Sequence, residues 1–380
     1  MATNFFQVAL ELQEYDPSVK VNAEQAYAFI QKYWKLSKAE LATYPLDLEE
    51  CFTLLQLKMA SSTLSVEEKN QLNQVYNELT NFVYVLLAYF EKNATESEPM
   101  RHFGKILYER RPTIITFNYD TYIETLVKDA SNKIPIPANV QAFKLARDDW
   151  EPVEASEEVI SYSSHEWDER LAYGTEFDDV RLDIDGLKMD NLVHKEKFYS
   201  NGRDLYSSCI LKLHGSLNWL RYLGKIVNVV GAGIDQSDKS KNIALDYYRP
   251  VAIPTTHNTW NAWATVPIIV PPVLYKQDLL NDKYAEHIAT HFERLWTKAK
   301  KSLSICKHLI IIGYSFPPTD FHTKQLFLEA FADNQLDSLI IVNPDTSVVQ
   351  KVKNLCHFEK PVIVCKDLRE FLKWYESQKI

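Results

Sequence analysis

The last seventy residues constrain this chain most. Three short apolar runs, "HLIIIGYSF" (308–316), "SLIIVNPD" (338–345) and "PVIVCK" (361–366), alternate with longer stretches of helical periodicity at 319–333, 346–356 and 367–377. Runs that are short and almost continuously apolar are strands covered on both faces, and helices of this length between them require parallel pairing with right-handed crossovers. The expected architecture is α/β: a mostly parallel sheet with helices on both faces. Upstream runs extend it. "PTIITFNYDTYIETL" (112–126) predicts a strand followed by a helix from Thr121 to about Ala130. "CILKLHGSLNWLRYLGKIVNVV" (209–230) predicts a strand, a turn at His214-Gly215-Ser216 and a hairpin around Gly224. "VPIIVPP" (266–272) is a further strand, and a helix is expected from about Asp282 to Ser304.

Residues 1–110 read differently. Apolar side chains recur at helical spacing in "FFQVALELQEY", "AEQAYAFIQKYW" and "NQLNQVYNELTNFVYVLLAYFEK", punctuated by Pro45 and the "SSTLS" stretch at 61–65. This predicts a helical region packed on, or inserted in, the α/β part. Between Asp148 and Asp190 fifteen acidic residues stand against three basic ones, so 131–206 is expected to be an acidic, loop-rich insertion. The α/β domain would then comprise 111–130 and 207–380.

Charge and cysteine usage exclude several classes. A net charge of −9 argues against direct nucleic-acid binding, which depends on Lys and Arg. Lys298, Lys300 and Lys301 read as a solvated helix face. The five cysteines (Cys51, Cys209, Cys306, Cys356, Cys365) are scattered and never paired as C-x-x-C, which fits free thiols in a reducing compartment. No signal peptide opens the chain, and no apolar run approaches the ~20 residues of a membrane span. The expectation is a cytoplasmic protein away from membranes.

The strand ends carry the polar chemistry. Thr116, Asn118 and Asp120 alternate, which places them on one face of extended chain. His214, Gly215 and Ser216 end a second strand, Gly313, Tyr314 and Ser315 a third, and Asn343 with Asp345 a fourth. In an open α/β sheet ligands bind beyond the carboxyl ends of the strands, so four such clusters would converge on one crevice. Each has an ordinary alternative. Asp120 could simply cap the next helix, and His214 could be a satisfied core histidine. Gly215 would let the backbone turn close to a ligand, and Ser216 could bond that turn. Gly313 would permit close approach of a ribose or phosphate. Pro317 and Pro318 set a loop, with Thr319 or Asp320 as the N-cap beyond it.

Three other patterns do not hold. "RLDIDG" (181–186) suggests a calcium loop, but Arg181 occupies the first ligand position and Leu192 the twelfth. "VVGAGIDQSD" (229–238) lacks the third glycine of a dinucleotide loop and reads as a hairpin tip. "HIATH" places His287 and His291 on one helix face, with Ile288 where a zinc protease has its glutamate.

Taken in order, "TFNYD", "LKLHGSLNW", "IIIGYSFPPTD" and "IIVNPD" resemble the strand-end motifs of the sirtuin-like family, specifically its bacterial antiphage-defence branch. The likeness covers about residues 110–120, 209–220 and 268–375. It implies a Rossmann-like fold that takes NAD+ as substrate. Asn118 and Asp120 would line the nicotinamide-ribose pocket, with His214 as the base. Gly313, Ser315 and Asn343 would hold the adenosine end, and Thr116, Gly215 and Ser216 complete the NAD-binding set. The family's deacylases carry a four-cysteine zinc ribbon. This chain has none, so no metal is expected and the implied activity is NAD+ hydrolysis in abortive-infection defence. A homo-oligomer is implied, together with a partner ATPase, translocase or Argonaute-type protein. The alternative is a sensor or assembly module that binds NAD or ADP-ribose without chemistry. The family opens on a strand and a Gly-rich loop, whereas "MATNFFQVALEL" resembles the helix just after that loop. The expectation is an incomplete N-terminus, against a trimmed chain or a rewired fold without a pyrophosphate site.

Overall fold

A computed structural model describes residues 4–16, 19, 21, 23–94, 97–131, 142–146, 149–153, 171–173, 179–184, 187–194, 208–227, 233–235, 243–246, 263–270, 286–317 and 320–378. The first hundred residues are helical as their periodicity predicts: α1 (Phe5–Tyr15), α2 (Glu24–Trp34), α3 (Lys38–Leu41), α4 (Leu48–Met59), α5 (Val66–Lys92) and α6 (Glu98–Arg110). The "SSTLS" stretch starts α5, because the Ser65 side chain accepts from the Glu68 amide while Glu68 reaches back to Ser65. Apolar faces of α1, α2, α4 and α5 meet in one core around Phe5, Phe6, Ile30, Leu55, Leu79 and Phe82. Phe5 meets Phe6 edge-on at 5.3 Å and Phe82 at 5.4 Å, and each fully buried aromatic contributes about 1.5–3 kcal/mol.

Beyond α6 the chain becomes mixed α/β. In order the elements are β1 (Thr113–Thr116), α7 (Tyr122–Ser131), β2 (Ala142–Ala146), β3 (Asp149–Val153), β4 (Leu171–Ala172), β5 (Asp179–Ile184), β6 (Leu187–His194), β7 (Ser208–Lys212), β8 (Gly215–Val227), β9 (Gly233–Asp235), β10 (Ile243–Asp246) and β11 (Trp263–Ile269). Then follow α8 (Glu286–Ser304), β12 (His308–Ile312), α9 (Phe321–Ala330), β13 (Ser338–Val342), α10 (Ser347–Leu355), β14 (Ile363–Cys365) and α11 (Leu368–Ser377).

Six strands form two small parallel sheets where the sequence predicts one sheet, and β5 pairs parallel with β10 in a third, mixed sheet. The first has the order β1-β7-β4 and the second β12-β13-β14, all pairs parallel. Among the described residues no strand pairs with the outer edge of β1 or of β12. That edge position explains a second departure. β12 reads as a buried strand, yet Ile310 and Ile312 are 42% exposed. The second sheet does carry helices on both faces. Ile340, Val342 and Cys365 pack on Ile106 of α6 and on Phe371 and Leu372 of α11. Ile311, Leu339 and Ile341 pack on α8, α9 and α10 through Leu295, Leu326 and Val348.

A six-stranded mixed sheet has the order β11-β8-β10-β5-β6 with β9 on β8, and β8 follows β7 directly in the chain. Gly224 lies inside β8 and pairs with Ala264, so no hairpin turns there; farther on, β8 pairs antiparallel with β9, Val227 opposite Gly233. The hairpin tip expected within 229–238 lies outside the described residues apart from β9. The described parts of 131–206 beyond α7 are mainly strands where loop is predicted. The segment 154–170, part of the acidic stretch, lies outside them. Cys51, Cys356 and Cys365 are buried, Cys209 and Cys306 half-buried, and all five are free thiols. No helix among the described residues is long and apolar enough to cross a membrane.

Candidate functional site

The carboxyl ends of β1, β7, β12 and β13 come together. Leu213 donates its amide to the Thr116 carbonyl at 3.0 Å, which brings the end of β7 to the end of β1. Gly313 donates to the Val342 carbonyl at 2.9 Å, and Asn343 Nδ2 donates to the Tyr314 carbonyl at 3.3 Å, which joins β12 to β13. The two pairs meet through rings. Phe117 stacks on Tyr314 with centroids 4.4 Å apart and lies 5.2 Å from the His214 ring. The convergence expected of the four strand-end clusters is therefore present.

His214 sits at the centre of this junction, 5% exposed, between Phe117 and Tyr119. Its Nε2 lies 3.6 Å from Asp320 Oδ2, close enough for the carboxylate to stabilise a protonated imidazole. Asp320 is 4% exposed and held on several sides. It caps α9 from its expected position, accepting from the Thr323 amide at 3.4 Å and hydroxyl at 2.6 Å, and it accepts from Tyr314 Oη at 2.5 Å. Burial, reinforced by the neighbouring Asp320 carboxylate, drives the Tyr314 phenol far above its usual range, so it stays a proton donor. Asp320 is thus both a helix cap and the charge beside His214. Sequence reading sees only the cap, because nothing in "FPPTD" points to a histidine a hundred residues upstream.

The Asn118–Asp120 turn follows β1, and it is the rings of Phe117 and Tyr119 that border His214. Thr116 is buried, and its hydroxyl accepts from the Asn118 amide at 3.1 Å, so it shapes the turn. Asn118 is exposed, and its side chain makes no hydrogen bond among the described residues. Asp120 Oδ1 accepts from the Tyr122 amide at 3.1 Å, which makes it the cap of α7 while its carboxylate stays half-exposed. Tyr119 Oη donates to the Val270 carbonyl at 2.8 Å. Burial first, then the nearby Tyr76, Glu49 and Asp320, push that phenol well above its usual range.

The helical region reaches the same turn. Glu91, near the end of α5, accepts from both the amide and the hydroxyl of Thr121. Its Oε2 is buried without a partner. Burial is the main cause that pushes its carboxyl up to about 7, with Asp120 adding to the rise while the Thr121 bonds and Lys212 oppose it. Glu91 is a site residue that sequence reading misses, since it sits in an unremarkable helical run.

The other predicted residues divide into two groups. Gly215 has φ +88°, and a Cβ there would lie 2.1 Å from the Ile268 carbonyl oxygen. Its close approach is to β11, where a ligand is expected. Ser216 is fully buried, with Oγ 2.6 Å from Asn218 Oδ1. Asn343 Oδ1 accepts from the Asp345 amide at 2.9 Å, so both ends of that amide tie loops together. By contrast Gly313 (φ +69°) is exposed, and among the described residues no atom lies within 4 Å of where a Cβ would stand; Ser315 is exposed too. The 313–316 loop is anchored at Phe316, whose left-handed backbone (φ 51°) is held by a ring packed on Tyr314 and Phe327.

His291 is buried against Trp219 at 5.3 Å, and the side chain of His287 lies outside the described residues. No cluster of potential metal ligands occurs among the described residues. Set against models of known protein families and against curated proteins, the chain matches none.

Proposed function

We propose that this protein is an NAD+ glycohydrolase, releasing nicotinamide and ADP-ribose. The observation that carries the reading is the buried His214–Asp320 pair where the carboxyl ends of two parallel sheets meet, beside the end of β1 that bears the exposed Asn118. On this reading the two sheets are parts of one Rossmann-like nucleotide fold, and the sequence likeness to the sirtuin-like family supports it. The ribose would lie against Asn118 and Asp120, and the adenosine end along the open Gly313–Ser315 loop.

The chemistry asks little of the protein beyond placement. The glycosidic bond breaks with its electron pair going to the pyridinium nitrogen, so nicotinamide leaves neutral without an acid. An oxocarbenium-like ribose remains, which the Asp120 carboxylate would stabilise. Asn118 would orient a water or a ribose hydroxyl. As the water's oxygen bonds to C1′, His214 would take its proton, and Asp320 would stabilise the imidazolium that forms. The effector role in antiphage abortive infection, a homo-oligomeric state and a partner ATPase, translocase or Argonaute-type protein belong to the same proposal.

Incubation with NAD+, alone and with candidate activating partners, followed by quantitation of nicotinamide and ADP-ribose, tests it. Wild type should release both in equal amounts, and Asn118→Ala and His214→Ala should lower the rate by about 100-fold or more. No release under any condition would refute it. The burial of His214 at 5% exposure favours a second reading, an NAD or ADP-ribose sensor without turnover. Calorimetry that detects ADP-ribose binding in a protein that releases no nicotinamide would establish that reading.

A further inference from the structure

We propose that Lys212 is a positioning residue for the Asn118–Asp120 turn. Its buried ammonium, balanced by Glu124, fixes the main chain of Asp120 and so sets where the Asn118 amide and the Asp120 carboxylate stand. The inference rests on the assignment of that turn to the ribose.

Lys212 ends β7, two residues before His214, and is completely buried. A lysine out of water is costly unless its charge is matched and its protons are used. Here the charge is matched and two of the three protons are used. Nζ lies 3.0 Å from Glu124 Oε1 and also donates to the Asp120 carbonyl. Glu124, on α7, is 5% exposed. Its Oε1 also accepts from Tyr173 Oη at 2.9 Å, and that oxygen accepts in turn from Asn218 Nδ2 at 2.9 Å. Ser216 Oγ stands 2.6 Å from Asn218 Oδ1 and 3.3 Å from the Tyr119 carbonyl. It has one proton to give, so the shorter contact takes it. The Tyr119 carbonyl is already served by the Leu217 amide at 2.9 Å. Two successive carbonyls of the turn are therefore anchored from below, one by β8 main chain and one by the lysine.

An ion pair that only filled space would be replaced at little cost by apolar side chains of similar volume. It would have no need to reach a main-chain carbonyl of the turn. The contact with Asp120 separates the two roles, and a charge-neutral double substitution tests them. Lys212→Met leaves Glu124 buried and unpaired, and it should lower the urea midpoint clearly. Lys212→Met with Glu124→Leu removes both charges and should restore most of that midpoint.

If Lys212 positions the turn, the double variant stays defective despite its recovered stability. The amides of Asn118, Thr121 and Tyr122, bonded to Thr116, Glu91 and Asp120, should exchange about tenfold faster than in wild type. The kcat for NAD+ hydrolysis should fall by about 100-fold, the cost of a small misplacement of reacting groups. Wild-type exchange at these amides in the double variant, or activity that returns together with stability, would overturn the proposal. If wild type releases no nicotinamide, the hydrolase reading fails while the exchange rates still decide the role of Lys212.

Discussion

Glu91→Gln tests the coupling between the helical region and the candidate site through a pH dependence of known sign. Glu91 is half-buried where α5 meets the Asp120–Thr121 segment, and its carboxyl is pushed from an ordinary value of 4.5 up to about 7. At about 1.4 kcal/mol per pH unit, that displacement corresponds to about 3 kcal/mol. Between pH 4.5 and 7 the folded chain holds a proton that the unfolded chain has released. The folded state therefore binds more protons, and stability contributed by this group falls as pH rises through the window. The contribution is complete below pH 4.5 and lost above about 7. Glutamine is neutral throughout, so the variant lacks this slope. Its amide oxygen can still accept from Thr121, while its nitrogen replaces the unpartnered Oε2 and leaves an unmatched donor costing about 1–3 kcal/mol. That cost is constant with pH, so the slope carries the test. Urea unfolding at intervals from pH 4.5 to 8 should show the wild-type-minus-variant difference falling by about 3 kcal/mol across the range. Parallel stability curves for the two proteins would refute the proton-holding state of Glu91.

Asp320→Ala removes the α9 cap and strands the Tyr314 and Thr323 hydroxyls, so chemical unfolding should report a loss of about 2–4 kcal/mol. Asp320→Asn, which keeps an acceptor, should lose less stability yet share the hydrolysis defect of His214→Ala. Gly215→Ala must move the Ile268 carbonyl as well as adopt φ +88°, and it should abolish folding or lower thermal stability severely. Gly313→Ala meets open space and should cost only the left-handed backbone, about 1–2 kcal/mol. Burial raises all five thiols, Cys356 to about 12, so native alkylation at pH 8 should be slow and should accelerate on unfolding.

The α/β alternation after residue 300 is legible because each helix and strand there has a distinct period. Helices 319–333, 346–356 and 367–377 are found within two or three residues of those bounds. Hydropathy does not record which strand has a neighbour. "HLIII" has the composition of a central strand and lies at an edge, where Ile310 and Ile312 remain exposed. Gly224 has the composition of a turn and is carried through β8 by pairing with β11. Long-range contacts are equally silent in sequence. The Asp320 carboxylate reaches His214 only after two sheets have been brought end to end, and Glu91 reaches Thr121 only after α5 has docked.

Polar alternation at a strand end therefore selects a neighbourhood, and the packing then divides its members. Thr116, Ser216 and Asn343 direct their side chains to nearby protein groups. Asn118 and the Gly313–Ser315 loop remain open, and Asp120 is shared between capping and solvent. This division has a physical logic. A short turn presenting an exposed amide would lose its geometry unless its own amides and carbonyls were engaged. Thr116, Glu91, Lys212 and the Leu217 amide engage four of those groups from three directions. The ordering entropy of the turn is then met by folding, which is the condition the proposed hydrolysis would require for tight placement of a reacting group. The residues that hold the turn are as necessary to the arrangement as those it presents, and the sequence motif contains both kinds without distinguishing them.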